Sequence, residues 1–140
     1  MPGWTTRDVA EAYRRQGSPA PIQTECGDGR PHKYGATRVH LDGQVFASKA
    51  EARGYQVLKV LEAAGQITNL KLQPRYVLQA GFRDSGGKWV RSVTYVADFE
   101  FLRDGKRVAV DVKGMETAAF RLKAKLFAAR YPAIQFEIWR

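Results

Sequence analysis

Asp98, Asp111 and Lys113 are the residues whose types and spacing best suit chemistry. Asp104-Gly105 signals a two-residue hairpin loop, and a loop of that length sets the register of the strands it joins. Arg103 then faces Lys106, Leu102 faces Arg107, and the count continues until Asp98 faces Asp111. Directly opposed residues lie on one side of a sheet with Cβ atoms ~4.5 to 5.5 Å apart, so the two carboxylates repel unless a cation intervenes. Period-two alternation puts Val108, Val110 and Val112 on one face and Ala109, Asp111 and Lys113 on the other. Mg²⁺ suits such a site, because it binds through one or two carboxylates while keeping waters and accepting phosphate oxygens. The chemistry would be phosphodiester hydrolysis: the metal polarises a phosphate oxygen and activates water, and Lys113 orients the nucleophile or stabilises negative charge. The alternative is an exposed charged face on which Lys113 only neutralises the aspartates. Register alone does not choose, and a slip of one residue would undo the pairing.

Glu51 is a third candidate carboxylate near the start of a helix, but Ser48-Lys49-Ala50-Glu51 also matches a capping box, which is the better reading of those residues alone. Gln73 could hold a phosphate or a metal-bound water, though a solvated strand position is commoner. Trp89 and Tyr95 could stack on bases, yet their alternation with Val93, Ala97 and Phe99 favours core packing. Arg121, Lys123, Lys125 and Arg130 on the last helix could meet a DNA backbone, with Lys33, Arg38 and Lys49 extending that surface. A solvated helix face explains these cations nearly as well.

The elements that must position these groups begin with a short hairpin around Asp42-Gly43. Helical spacing over 48–64 aligns Glu51, Gly54, Tyr55, Leu58 and Leu61, and Gly65 stands where a helix commonly ends. A strand over 70–79 alternates Leu72, Tyr76 and Leu78 against Lys71, Gln73, Arg75 and Val77, with Pro74 suggesting an edge or bulge. A turn at Ser85-Gly86-Gly87-Lys88 leads to a strand over 89–102, then Asp104-Gly105 reverses the chain into 107–112. The second helix, over 117–130, would face Leu122, Leu126 and Ala129 inward and stop at Tyr131-Pro132. Ile134, Phe136 and Ile138 alternate in a last strand, and the helix before it can cross over to make that strand parallel. The expectation is an α/β domain of helix, three-stranded meander, helix and strand with a mixed central sheet.

With 140 residues the chain fits one core, and residues 1–32, rich in Pro and Gly, look like an arm and linker before a domain over 33–140. No apolar run is long enough to span a bilayer and the first residues lack a secretory signal pattern, so a cytoplasmic protein without a membrane is expected. One cysteine, Cys26, allows no internal disulfide, and with only His32 and His40 beside it a structural zinc site is not expected. Lys and Arg outnumber Asp and Glu 23 to 14, a formal charge of +9 that favours a polyanionic partner.

Three segments together resemble a known pattern: Ser48-Lys49-Ala50-Glu51 on a helix, Tyr95-Val96-Ala97-Asp98-Phe99 on a strand, and Val110-Asp111-Val112-Lys113-Gly114. This is similar to the PD-(D/E)XK nuclease superfamily, particularly phage-borne endonucleases resembling Holliday junction resolvases. The resemblance runs over about 33–140 and includes Leu72-Gln73-Pro74 and the run from Lys113 to Thr117. It departs from the superfamily name in carrying Ala97 in place of proline, and it has Asp111 where many relatives carry glutamate. It implies a restriction-endonuclease-like core, Glu51, Asp98 and Asp111 as ligands of Mg²⁺ with Mn²⁺ as substitute, Lys113 as catalytic lysine, branched DNA as substrate, and a homodimer. For a phage protein the compartment would be the host cytoplasm. Nickase, flap-nuclease and restriction-like activities remain open, as does a non-catalytic DNA-binding accessory of phage recombination or packaging.

Overall fold

The computed structural model describes residues 23–24 and 38–140. The expected arm over 1–32, with Cys26 and His32, and the candidate Lys33 lie outside the described side chains. The described residues divide into two compact units, those up to Thr68 together with Arg140, and residues 69–139.

In the first unit, β1 (Gln23–Thr24), β2 (Val39–Leu41) and β3 (Gln44–Phe46) form an antiparallel sheet in that order. The expected hairpin joins β2 to β3 at Asp42-Gly43, both with positive φ. The helix α1 (Lys49–Ala63) follows, with Ser48 as its N-cap and Ala64 as its C-cap. Its buried stripe is Ala52, Gly54, Tyr55, Leu58, Val60 and Leu61, and Tyr55 stacks against Phe46 at 5.0 Å while its hydroxyl donates to Asp42 at 3.2 Å.

The second unit contains a four-stranded mixed sheet in the order β11-β10-β9-β4, built from β4 (Thr68–Leu72), β9 (Phe99–Arg103), β10 (Lys106–Val112) and β11 (Gln135–Trp139). The Asp104-Gly105 hairpin has φ of +51° and +73°, the left-handed pair a two-residue turn requires, and Gly105 adopts its share without steric cost. The register runs from Lys106↔Arg103 to Val110↔Phe99, as the loop length dictates. Strand β10 is also paired in parallel with β11 through the helix α2 (Ala118–Arg130), which is the expected crossover. Paired on both edges, β10 buries Val108, Ala109, Val110 and Asp111 in succession.

Two expected strands are broken. The strand over 70–79 divides at Gln73-Pro74 into β4 and β5 (Arg75–Gln79), and that over 89–102 divides into β7 (Trp89–Val90), β8 (Val93–Val96) and β9. The breaks at Gln73-Pro74 and Ala97-Asp98 meet: the Gln73 N–H donates to the Asp98 carbonyl at 2.9 Å, and the Ala97 N–H donates to the Pro74 carbonyl at 3.2 Å. Proline donates nothing to a ladder and Gln73 turns left-handed at φ +49°, so both chains change partners here. Beyond the break β5 pairs with β8, and β6 (Phe82–Arg83) pairs with β7.

The inner face of α2 also differs from expectation. Phe120 and Phe127 are buried, whereas Leu122 and Leu126 are 60% and 39% exposed and Ala129 is exposed. Both stripes have helical spacing, but the two rings, a pair of turns apart, meet Tyr76, Tyr95, Tyr131 and Phe136 in an aromatic cluster. Rings remove more apolar surface from water than leucines do, and their edge-to-face contacts add to that gain.

Candidate active site

Asp111 and Lys113 stand at the C-terminal end of β10 and just beyond it, and Asp98 occupies the break before β9. The regular ladder ends at Val110↔Phe99, one pair short of the aspartates. At the next residue the Asp98 N–H donates to the Val110 carbonyl at 2.9 Å, so Asp98 and Phe99 both lie opposite Val110, as in a β-bulge. The expected direct pairing of Asp98 with Asp111 is thereby corrected by a shift of one residue, caused by the departure of β8 toward β5. The bulge lets the Asp98 side chain do what a backbone carbonyl would have done: its Oδ2 accepts from the Val112 N–H at 2.6 Å.

Asp111 is buried, and its Oδ2 accepts from the Tyr95 hydroxyl and lies 3.4 Å from Lys113 Nζ. The Tyr95 phenol is pushed well above its ordinary range, first by burial, then by its bond to Asp111, and then by the charges of Asp111 and Asp98. Lys113 is half-buried, with its ammonium 5.0 Å from the centre of the Phe120 ring, a cation–π contact that holds it over α2 while it reaches Asp111.

Glu51 belongs to the first unit, where its carboxylate accepts from the Ala47 N–H at 3.2 Å and from the Ser48 hydroxyl at 3.3 Å. Ser48 Oγ accepts in return from the Glu51 N–H at 3.2 Å, a reciprocal N-cap that differs from the suggested capping box in reaching the Ala47 N–H in place of the Ser48 N–H. Among the described residues no group of three or more histidine, cysteine, aspartate or glutamate side chains converges as a metal cage. Gln73 is exposed, and it is brought to Asp98 through its backbone. Arg38 and Lys49 are exposed in the first unit, and in the second Arg121, Lys125 and Arg130 are exposed and Lys123 half-buried on α2.

Sequence reasoning took Tyr95 as a core residue, which its burial bears out, but missed its hydroxyl. It also missed Glu100, which lies 4% exposed between Phe99 and Phe101. Glu100 accepts from the hydroxyl of Tyr76, from Arg107 at 2.7 Å and from Lys71 at 3.2 Å. Burial alone would raise its pKa; the bonds from Arg107, Tyr76 and Lys71 outweigh burial and hold it below the usual carboxylate value. Tyr76 and Tyr95 are direct cross-strand partners on β5 and β8, so one pair of tyrosines clasps two acids of the neighbouring sheet. The signal was available: the hairpin register sets Glu100 opposite Ala109, diagonal to Arg107, inside an apolar run. Trp89 departs from the core packing expected of it, being 57% exposed. A third buried acid, Glu137 on β11, is paired with Arg103 at 2.5 Å and accepts from Gln135 and Trp139.

No helix among the described residues is long and apolar enough to cross a membrane. No curated protein matches the chain. The family model described as "Protein of unknown function (DUF1064)" matches residues 31–140, and the chain belongs to that family.

Proposed function

We propose that this member of the DUF1064 family is a metal-dependent DNA endonuclease acting on branched DNA in the manner of a Holliday junction resolvase, with Asp98, Asp111 and Lys113 at its centre. The observation that carries the reading is the buried Asp111 carboxylate at the end of β10, held by Tyr95 and Lys113, with the Asp98 carboxylate bonded to the N–H of the next residue, Val112. An element order of helix, antiparallel hairpin, crossover helix and parallel strand along the chain supports the reading of a restriction-endonuclease-like core. The hard oxygen donors of Asp98 and Asp111 fit Mg²⁺, with Mn²⁺ as a substitute. Such an ion, when bound, supplies charge neutralisation at phosphate and a more acidic water.

The protein's own groups divide the remaining work. Tyr95 and the Val112 N–H orient the two carboxylates, and Lys113 provides a positive charge beside them for the attacked phosphate. Gln73, whose N–H is bonded to the Asp98 carbonyl, would contribute a phosphate contact. Arg121, Lys123 and Lys125 would run along the DNA backbone, and the net charge of +9 favours that partner. Glu51 would join as a third carboxylate only by leaving its N-cap. Two incisions across a junction would need a homodimer, acting in the cytoplasm.

A second reading rests on the same bonds: Asp111 satisfied by Tyr95 and Lys113 is also what a purely structural polar network looks like, in a DNA-binding accessory protein. Cleavage of labelled four-way junction, flap and linear duplex by wild type, Asp111→Asn and Glu51→Gln, with Mg²⁺ or EDTA, separates the two. Cutting by wild type with Mg²⁺ alone, lost in Asp111→Asn, supports the nuclease. Binding of junctions without cutting by any form would replace it with the accessory role. Glutamine can still cap, so loss of cutting in Glu51→Gln at unchanged stability would assign Glu51 to the metal.

A further inference from the structure

The β6–β7 hairpin has no part in the site described above, yet it is built around an exposed aromatic side chain. Strand register opposes Arg83 to Trp89 and Phe82 to Val90, so Trp89 and Arg83 share one face and Phe82 lies on the other. Both rings are open to solvent, Trp89 at 57% and Phe82 at 44%. The indole is seated rather than loose. A Cβ on Gly81 would stand 2.5 Å from Trp89 Cζ2 and 3.0 Å from Cη2, so the ring lies against the Gly81 backbone and a side chain there would push it from that position.

Charge on the hairpin is arranged to match. Asp84, its acidic residue, is turned into the loop, where Oδ1 accepts from the Gly86 and Lys88 N–H groups at 2.9 Å each. Arg83 is tied to the same loop through the Gly87 carbonyl at 2.9 Å, which holds its positive charge on the hairpin beside Trp89. Lys88 and Arg91, one residue before and two after the tryptophan in the chain, are exposed. A seated, solvent-facing indole among cations is the arrangement that receives an unpaired base on its ring and the neighbouring phosphates on its flanks.

We propose that the β6–β7 hairpin is a stacking platform for unpaired bases of single-stranded DNA, with Trp89 as the contact residue and Gly81 as its seat. The proposal rests on the DNA-binding part of the reading above and not on catalysis. Trp89 then engages the strand where pairing is interrupted, while α2 meets the duplex backbone.

The test uses the full chain with short labelled oligonucleotides: single-stranded DNA, single-stranded RNA of the same sequence, and the matching DNA duplex. In a Trp4→Phe background the remaining tryptophans are Trp89 and the buried Trp139, so quenching on addition of single strand reports chiefly on Trp89. Trp89→Ala should weaken single-strand DNA binding roughly 5- to 150-fold, the range for removing one stacking aromatic, and duplex binding less than about twofold. Trp89→Phe should restore part of the loss, and Gly81→Ala, which unseats the ring, should reproduce part of it. If wild type binds single strand and duplex but Trp89→Ala binds both unchanged without altered quenching, the platform is overturned and DNA binding stands. If wild type binds no DNA, both readings fall. A larger loss on RNA than on DNA would overturn the assignment to DNA.

Discussion

Replacing Tyr95 by phenylalanine removes one oxygen and leaves the ring in the aromatic cluster, so the change reports on the bond to Asp111 with no cavity to confound it. A hydrogen bond to a buried charged acceptor contributes ~1.5 to 3 kcal/mol. Asp111 keeps only Lys113 at 3.4 Å among its side-chain partners described above, longer than a well-made charge-assisted bond, so little compensation is expected. The expected loss is about 2 kcal/mol, or on the order of 30-fold in the folding equilibrium. Tyr76→Phe is the internal comparison. Its acceptor, Glu100, retains Arg107 at 2.7 Å and Lys71 at 3.2 Å, so that variant should lose only about 1 kcal/mol. Equilibrium denaturant unfolding at neutral pH measures both, with an unchanged slope showing that the unfolding reaction is the same. A cycle with Asp111→Asn should give a coupling of at least ~0.5 kcal/mol between positions 95 and 111. A Tyr95→Phe variant as stable as wild type, or less affected than Tyr76→Phe, would refute the view that this hydroxyl is what holds Asp111.

Two further outcomes follow from the packing and the charges. Glu100 has its pKa below 4.5 when folded, so its contribution is present above pH ~4.5 and disappears as pH falls through the depressed folded value; stability of Glu100→Gln should therefore fall less steeply on acidification, and parallel acid limbs for the two proteins would count against it. On α2, Phe127→Ala should cost ~3 to 5 kcal/mol in denaturant unfolding while the exposed Leu122→Ala stays within ~0.5 kcal/mol, and the reverse order would restore the leucine-inward helix.

Local signals along the chain determined most of the elements. Turn chemistry at Asp42-Gly43 and Asp104-Gly105 and the capping residue at Ser48 act over a few residues, so they could be read directly. The parallel β10–β11 pair followed from the length of the helix between them. What the sequence left undecided depended on competition between partners distant in the chain. Gln73-Pro74 and Ala97-Asp98 break their strands because each break satisfies the backbone of the other, and that exchange moved Asp98 off its counted position opposite Asp111. On α2 two stripes had equal periodicity, and only the waiting rings of Tyr76, Tyr95 and Phe136 selected the phenylalanines. Tertiary structure likewise decided that Tyr95 and Tyr76 each clasp a buried acid and that Trp89 faces water, since a side chain's hydrogen-bond partner and exposure are set by what packs beside it and not by its own alternation.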